Sequence, residues 1–103
     1  MENRKNQRFE LRLPLEILVG RAPVSKGETK NVSSCGVLFA AKAAVAVGEP
    51  IEYLITLPKA RGTRVAVRLR CVGKIVRRNE AHKDQAPEFA ATLERYEFVR
   101  ERR

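Results

Sequence analysis

From residue 9 to residue 19 the chain alternates. Apolar side chains fall on odd positions, at Phe9, Leu11, Leu13, Leu15, Ile17 and Val19. Glu10, Arg12, Pro14 and Glu16 fall between them, with Leu18 the one exception. A period of two collects the apolar set on one face of a pleated strand and scatters it around a helix. The chain must therefore supply a sheet with one buried face. Pro14 has no N–H to give to a ladder, which points to a sheet edge or a bulge at that position.

The same alternation returns at Ile51, Tyr53, Ile55 and Leu57, and stops at Pro58. It returns again at Val65, Val67, Leu69, Cys71 and Ile75, with Arg64, Arg68, Arg70 and Lys74 on the opposite face. Two shorter apolar runs follow the strand pattern, Gly36-Val-Leu-Phe-Ala-Ala41 and Phe89, Ala91, Leu93. Residues 20–32 read as a turn and a short polar strand, residues 42–50 as a connection, and residues 79–87 as a polar hairpin loop. The last stretch, ERYEFVRERR, mixes charged and apolar residues at helix-like spacing and predicts a short C-terminal helix. Six strands joined by short turns must be antiparallel. In 103 residues they make a small barrel or sandwich, which limits exposed edges. The expected division is a flexible basic arm over residues 1–8, an all-β body over 9–96 and a charged C-terminal tail over 97–103.

Composition narrows the partners. Lys and Arg number 21 against 12 Asp and Glu, a net charge of +9. Such a field favours an anion: a nucleotide, a nucleic acid or an anionic membrane surface. No run approaches the roughly 18 apolar residues that span a bilayer, so membrane insertion is not expected. The start, MENRKNQRFE, has none of the apolar segment of a secretion signal, and the expected location is the cytoplasm. In that reducing compartment Cys35 and Cys71 read as small hydrophobes rather than a disulfide. With one histidine in the chain they do not complete a four-ligand zinc site. No metal and no cofactor are expected.

Catalytic patterns are missing from the sequence. Ser33 and Ser34 lie outside any G-x-S-x-G elbow, and His82, the one histidine, falls in the polar hairpin loop. There is no H-E-x-x-H, no calcium loop and no P-loop. The chain is read as a binding protein and not an enzyme.

Two segments carry binding chemistry. Arg4-Lys5-Asn6-Gln7-Arg8 places two guanidinium groups four apart just before the first strand. A guanidinium is planar, always charged and bidentate toward phosphate, and it stacks on flat rings. Asn31-Val-Ser33-Ser-Cys-Gly36 links two strands. Asn31 offers both donor and acceptor, Ser33 a hydroxyl, and Gly36 room for a close approach. Separately each segment is ordinary arm or turn chemistry. Together, R-x-x-x-R followed by [D/N]-x-S-x-x-G in a short basic β-chain resembles the PilZ domain family. The resemblance spans residues 4–96 and includes the Gly48-Glu49-Pro50 connection and the strand that ends at Pro58.

The resemblance implies a six-stranded antiparallel β-barrel that binds cyclic di-GMP. Carried over, Arg4 and Arg8 clamp the ligand, Asn31 and Ser33 hydrogen-bond it, and Gly36 keeps the approach open. Lys5 stands outside the motif and adds charge beside the phosphates. The implied function is a cyclic di-GMP receptor that signals through its arm to a downstream protein partner. Two alternatives stand beside it. One is a ligand-independent adaptor of the same fold. The other is a nucleic-acid-binding barrel using residues 59–78, where Lys59, Arg61, Arg64, Arg68, Arg70, Lys74, Arg77 and Arg78 occur with no acid. That stretch has no aromatic on which a base could stack, so nucleic acid is the weaker alternative. The oligomeric state is left open.

Overall fold

The computed structural model describes residues 9–19, 22–58, 62, 65–80 and 85–102. It contains seven strands: β1 (Pro14–Val19), β2 (Ala22–Val32), β3 (Gly36–Ala41), β4 (Pro50–Thr56), β5 (Val65–Asn79), β6 (Glu88–Thr92) and β7 (Arg95–Arg102). All pairings are antiparallel, and the order β1-β2-β3-β6-β5-β4 closes through a β4–β1 ladder into a six-stranded barrel. Closure leaves these six strands with few open edges. Pro14 begins β1 opposite Glu28, one residue before the β4 ladder starts at Leu15, so its missing donor leaves no gap in that ladder.

Most of the alternating residues fill the barrel, whereas Phe9 and Leu11 precede β1 and stay exposed. Leu15, Ile17, Ile51, Tyr53, Ile55, Cys71 and Ile75 are all buried. Phe39 stands at the centre, with its ring 5.5 Å from that of Phe89 and 6.2 Å from that of Tyr53. The Tyr53 hydroxyl donates to the Thr92 carbonyl at 3.0 Å, which satisfies the polar end of a fully buried ring. Burial holds the Tyr53 proton far above its ordinary range and pushes the Cys71 thiol up to about 12. A thiol that stays protonated is a core side chain and not a nucleophile.

The terminal helix expected from ERYEFVRERR is not formed. Residues 95–102 make β7, which also runs through most of the stretch expected as a charged tail from residue 97. The reason lies in β5. This strand is 15 residues long, but β6 pairs with it only from Ile75 onward. Its first half would present an open edge, and β7 pairs with residues 65–72 instead. An isolated eight-residue helix is marginal in water, whereas a ready ladder supplies a hydrogen-bond partner for every second residue. Tyr, Phe and Val also suit a strand.

Candidate functional site

Of the residues singled out in the sequence, Asn31, Ser33 and Gly36 are described and come together at the β2–β3 turn. Arg4, Lys5 and Arg8 lie outside the described residues, as does His82. The nearest described neighbour of the arginine arm is Phe9. Its N–H donates to the Val32 carbonyl and its carbonyl accepts from the Val32 N–H, both at 2.9 Å. This two-bond bridge fixes the chain directly after Arg8 beside the residue between Asn31 and Ser33.

A second clamp lies one turn further on. Thr29 is the one buried polar side chain among the described residues. Its hydroxyl donates to the Leu11 carbonyl and accepts from the Leu13 N–H at 2.9 Å, while its own N–H donates to the Leu13 carbonyl at 2.9 Å. The irregular stretch between Phe9 and β1 is thereby riveted to β2. Thr29→Val keeps the shape and removes both hydroxyl bonds. Leaving two backbone groups unsatisfied costs about 1–3 kcal/mol each where burial is complete, and less here because the segment is partly exposed. The expected result is a stability loss of about 1–3 kcal/mol in urea unfolding, together with faster amide exchange at Leu13. Unchanged exchange at Leu13 would show that the rivet lies elsewhere.

The turn is organised by Ser33. Its Oγ accepts from the N–H groups of Cys35 at 3.3 Å and Gly36 at 3.2 Å, and donates to the Gly36 carbonyl at 3.2 Å. The Ser33 N–H also donates to the Gly36 carbonyl, at 2.9 Å. The hydroxyl's proton and both lone pairs are thus engaged within the turn. Gly36 is required here by packing, since a Cβ built on it would lie 2.8 Å from the Ala91 carbonyl oxygen of β6. Its φ is not in the left-handed region.

Two β-bulges shape the adjoining surface. In β2 the register jumps from Thr29↔Phe39 to Asn31↔Leu38, so Asn31 shares the outer face with Leu38 although Thr29, two residues earlier, is buried. In β5 it jumps from Ile75↔Ala91 to Arg77↔Ala90, which turns Arg77 outward in the same way. A bulge adds one residue to one strand and so re-aims the side chains beyond it. Leu38 and Ala90 are themselves partners. Asn31, Leu38, Ala90 and Arg77 therefore form one row across four strands. At about 4.8 Å per strand the row is about 14 Å long. Neither the Asn31 amide nor the Arg77 guanidinium has a partner among the described residues.

This row floors a groove of about 220 Å³ that also takes in Ser33 and Val76. Its ends are polar, its floor is small and apolar, and one end carries an uncommitted positive charge. A larger hollow of about 730 Å³ lies against Glu52, Arg70 and Glu97. There Arg70 Nε donates to Glu52 at 2.6 Å, and the guanidinium also faces Glu97 at 3.7 Å. Glu49 and Arg95 also line it, so acids outnumber bases there and the larger hollow has little pull on an anion.

The same kind of pairing offsets part of the positive charge counted over residues 59–78. Arg68 faces Glu16 at 3.8 Å, Arg70 faces Glu52 and Glu97, and Arg78 faces Glu80 at 3.0 Å. Arg78 also donates to the Val45 carbonyl at 3.1 Å and stands over the Phe89 ring, 5.5 Å from its centroid. Lys59, Arg61 and Arg64 lie outside the described residues. Arg77 belongs instead to the groove, where the sequence pattern alone did not place it.

The profile of the PilZ domain matches residues 2–98. Among solved structures, the chain is similar to that of the Bacillus subtilis inhibitor of motility (MotI/DgrA), with a TM-score of 0.73 at 16% identity. The match covers 94% of this chain and 45% of that one. No curated protein matches the sequence.

Proposed function

The chain belongs to the PilZ domain family, and from that premise we propose that it is a cyclic di-GMP receptor whose ligand lies on the Asn31–Arg77 row beneath the arm of Arg4 and Arg8. The observation that carries this reading is the Phe9–Val32 bridge. It holds Phe9, the residue directly after Arg8, beside the second motif, which supports a site built from both motifs. Arg4 lies five positions before Phe9, a reach of at most about 18 Å, against a row of about 14 Å. The arm is thus long enough to cross the whole groove.

The roles follow from the chemistry. Arg4 and Arg8 pair with the two phosphates and stack on guanine, with Lys5 adding charge. Asn31 reads a base edge with its amide. Ser33 contributes by holding the turn, and a direct contact from its hydroxyl requires one of the turn bonds to be exchanged for the ligand. Gly36 keeps β3 close to β6. Arg77 meets the ligand from the far end. No bond of the ligand is broken. Without an anion, Arg4, Lys5 and Arg8 repel one another, and a doubly charged ligand removes that repulsion. Binding then orders the arm and presents a new surface to a downstream protein.

Isothermal calorimetry with cyclic di-GMP, and with single-stranded DNA as the control, tests the assignment. The expected outcome is saturable binding of the dinucleotide only. Hydrogen exchange over residues 1–10 is expected to slow when the ligand is present. Binding without any change there would assign the signal to another part of the molecule. The absence of cyclic di-GMP binding would leave the adaptor reading in its place. The pairing of Arg68, Arg70 and Arg78 with acids weighs against the nucleic-acid reading.

A further inference from the structure

Among the described residues β7 pairs only with β5, so its other edge presents unpaired N–H and C=O groups. The strand is eight residues long and contains no proline. Such an edge is a template for another strand. Tyr96 and Phe98 are the register partners of Cys71 and Leu69, and so they continue the inner face of the sheet beyond the barrel. They are 59% and 61% exposed and meet edge to face at 6.1 Å.

We propose that this edge is a homodimer interface, in which β7 pairs antiparallel with β7 of a second copy and Phe98 faces Phe98 of the partner at the two-fold axis. The charge pattern selects both the occupant and the register. About residue 98, position 97 falls opposite 99, 96 opposite 100, 95 opposite 101 and 94 opposite 102. Tyr96 then meets Arg100 of the partner, a cation–π pairing. Arg95 falls opposite a glutamate position and Glu94 opposite an arginine position. The neighbouring registers fail. With the axis between 98 and 99, Glu97 gains Arg100 as its partner but Arg95 opposes position 102, also arginine, a clash that the register about 98 avoids. With the axis at 99, Glu97 opposes position 101, also glutamate. With the axis between 97 and 98, Arg95 opposes Arg100. Like charges directly opposite one another destabilise an antiparallel pair. A strand that is complementary to its own reverse about one residue suits a second copy of itself, and such contacts close as symmetric dimers.

The dimer edge uses the first half of β5 and the groove uses the second, so both faces are available at once. The dimer proposal does not rest on the ligand assignment. The net charge of +9 opposes association, so the test belongs at physiological salt, where the Debye length is about 8 Å. Sedimentation velocity is run on the wild type, on Phe98→Glu, on Phe98→Lys and on an equal mixture of the two variants. The wild type is expected to show a concentration-dependent monomer–dimer equilibrium. Each variant alone is expected to dimerise about tenfold more weakly or worse, because it loses the aromatic pair and sets like charges at the axis. The mixture is expected to recover a heterodimer, since Glu faces Lys only if position 98 faces position 98. Phe98 is exposed in the monomer, so both variants should keep the wild-type circular dichroism and melting curve. A wild type that stays monomeric up to about 1 mM overturns the proposal. So do variants that dimerise like the wild type, or a mixture that fails to recover.

Discussion

Replacing Arg8 by Ala is expected to lower cyclic di-GMP affinity by roughly ten- to a hundred-fold, the upper end being favoured. A hydrogen bond to a charged group contributes about 1.5–3 kcal/mol, and a bidentate contact with stacking lies at or above the top of that range. Arg8 directly precedes Phe9, whose bridge to Val32 lies beside the groove, so the larger loss is expected from Arg8. Arg8→Lys separates charge from shape. It keeps the cation but loses the planar fork, and should recover only part of the loss. Arg77→Ala is expected to cost about tenfold or less, because a single contact at the far end of the row is removed. Arg68→Ala should barely change affinity, because that side chain is held against Glu16 on another face. Calorimetry on the four variants gives the order directly. Equal affinities for wild type and Arg8→Ala would remove Arg8 from the site. A loss at Arg68 matching that at Arg8 would extend the site onto the face of Glu16.

The features legible in the sequence are those with a local signature. The period-two runs identified the inner residues of β1, β4 and β5, and their closure into a barrel follows from short antiparallel connections. Asn31, Ser33 and Gly36 announce a turn because their side chains, or the lack of one, act within a few residues. Bulges leave no such mark. Each is one extra residue, and neither Lys30 nor Val76 differs in type from its neighbours. The outward turn of Asn31 and Arg77 is therefore visible only once the register with β3 and β6 is known. The pairing of Arg68 and Arg70 with acids was hidden for a related reason. The acids that pair with Arg68 and Arg70 come from β1, β4 and β7, which are distant in sequence. The C-terminal segment misled because its own spacing suits a helix, while the unpaired half of β5 decides its state. Local propensity is a weak prior against an open ladder.

Gly73→Ala is expected to be the most damaging small substitution in the barrel. Gly73 lies where β5 exchanges β7 for β6, between the Val72↔Arg95 and Ile75↔Ala91 pairs. A Cβ built there would fall 1.8 Å from the Thr92 carbonyl oxygen and 2.7 Å from its carbonyl carbon. The two nearest atoms are backbone, so backbone must move, and the Thr92 hydroxyl is also only 3.0 Å away. The displaced carbonyl is also the acceptor for Tyr53, and the Thr92 hydroxyl accepts from the Lys74 N–H at 3.0 Å. Overpacking a core costs about 1–3 kcal/mol when side chains can yield, so a clash with backbone should cost about 3 kcal/mol or more. For a domain near 100 residues each kcal/mol shifts the melting temperature by about 4–8 °C, so the expected drop is roughly 12–24 °C. Gly48→Ala is the contrast. Nothing lies within 4 Å of a Cβ at Gly48, but its φ is +93°, so only the left-handed backbone is penalised. That cost is about 1–2 kcal/mol. Calorimetric melting of both variants should therefore rank Gly73→Ala well below Gly48→Ala. The reverse order would mean that the β5 crossover has room to open, and that β6 and β7 are not held against it as closely as Thr92 requires.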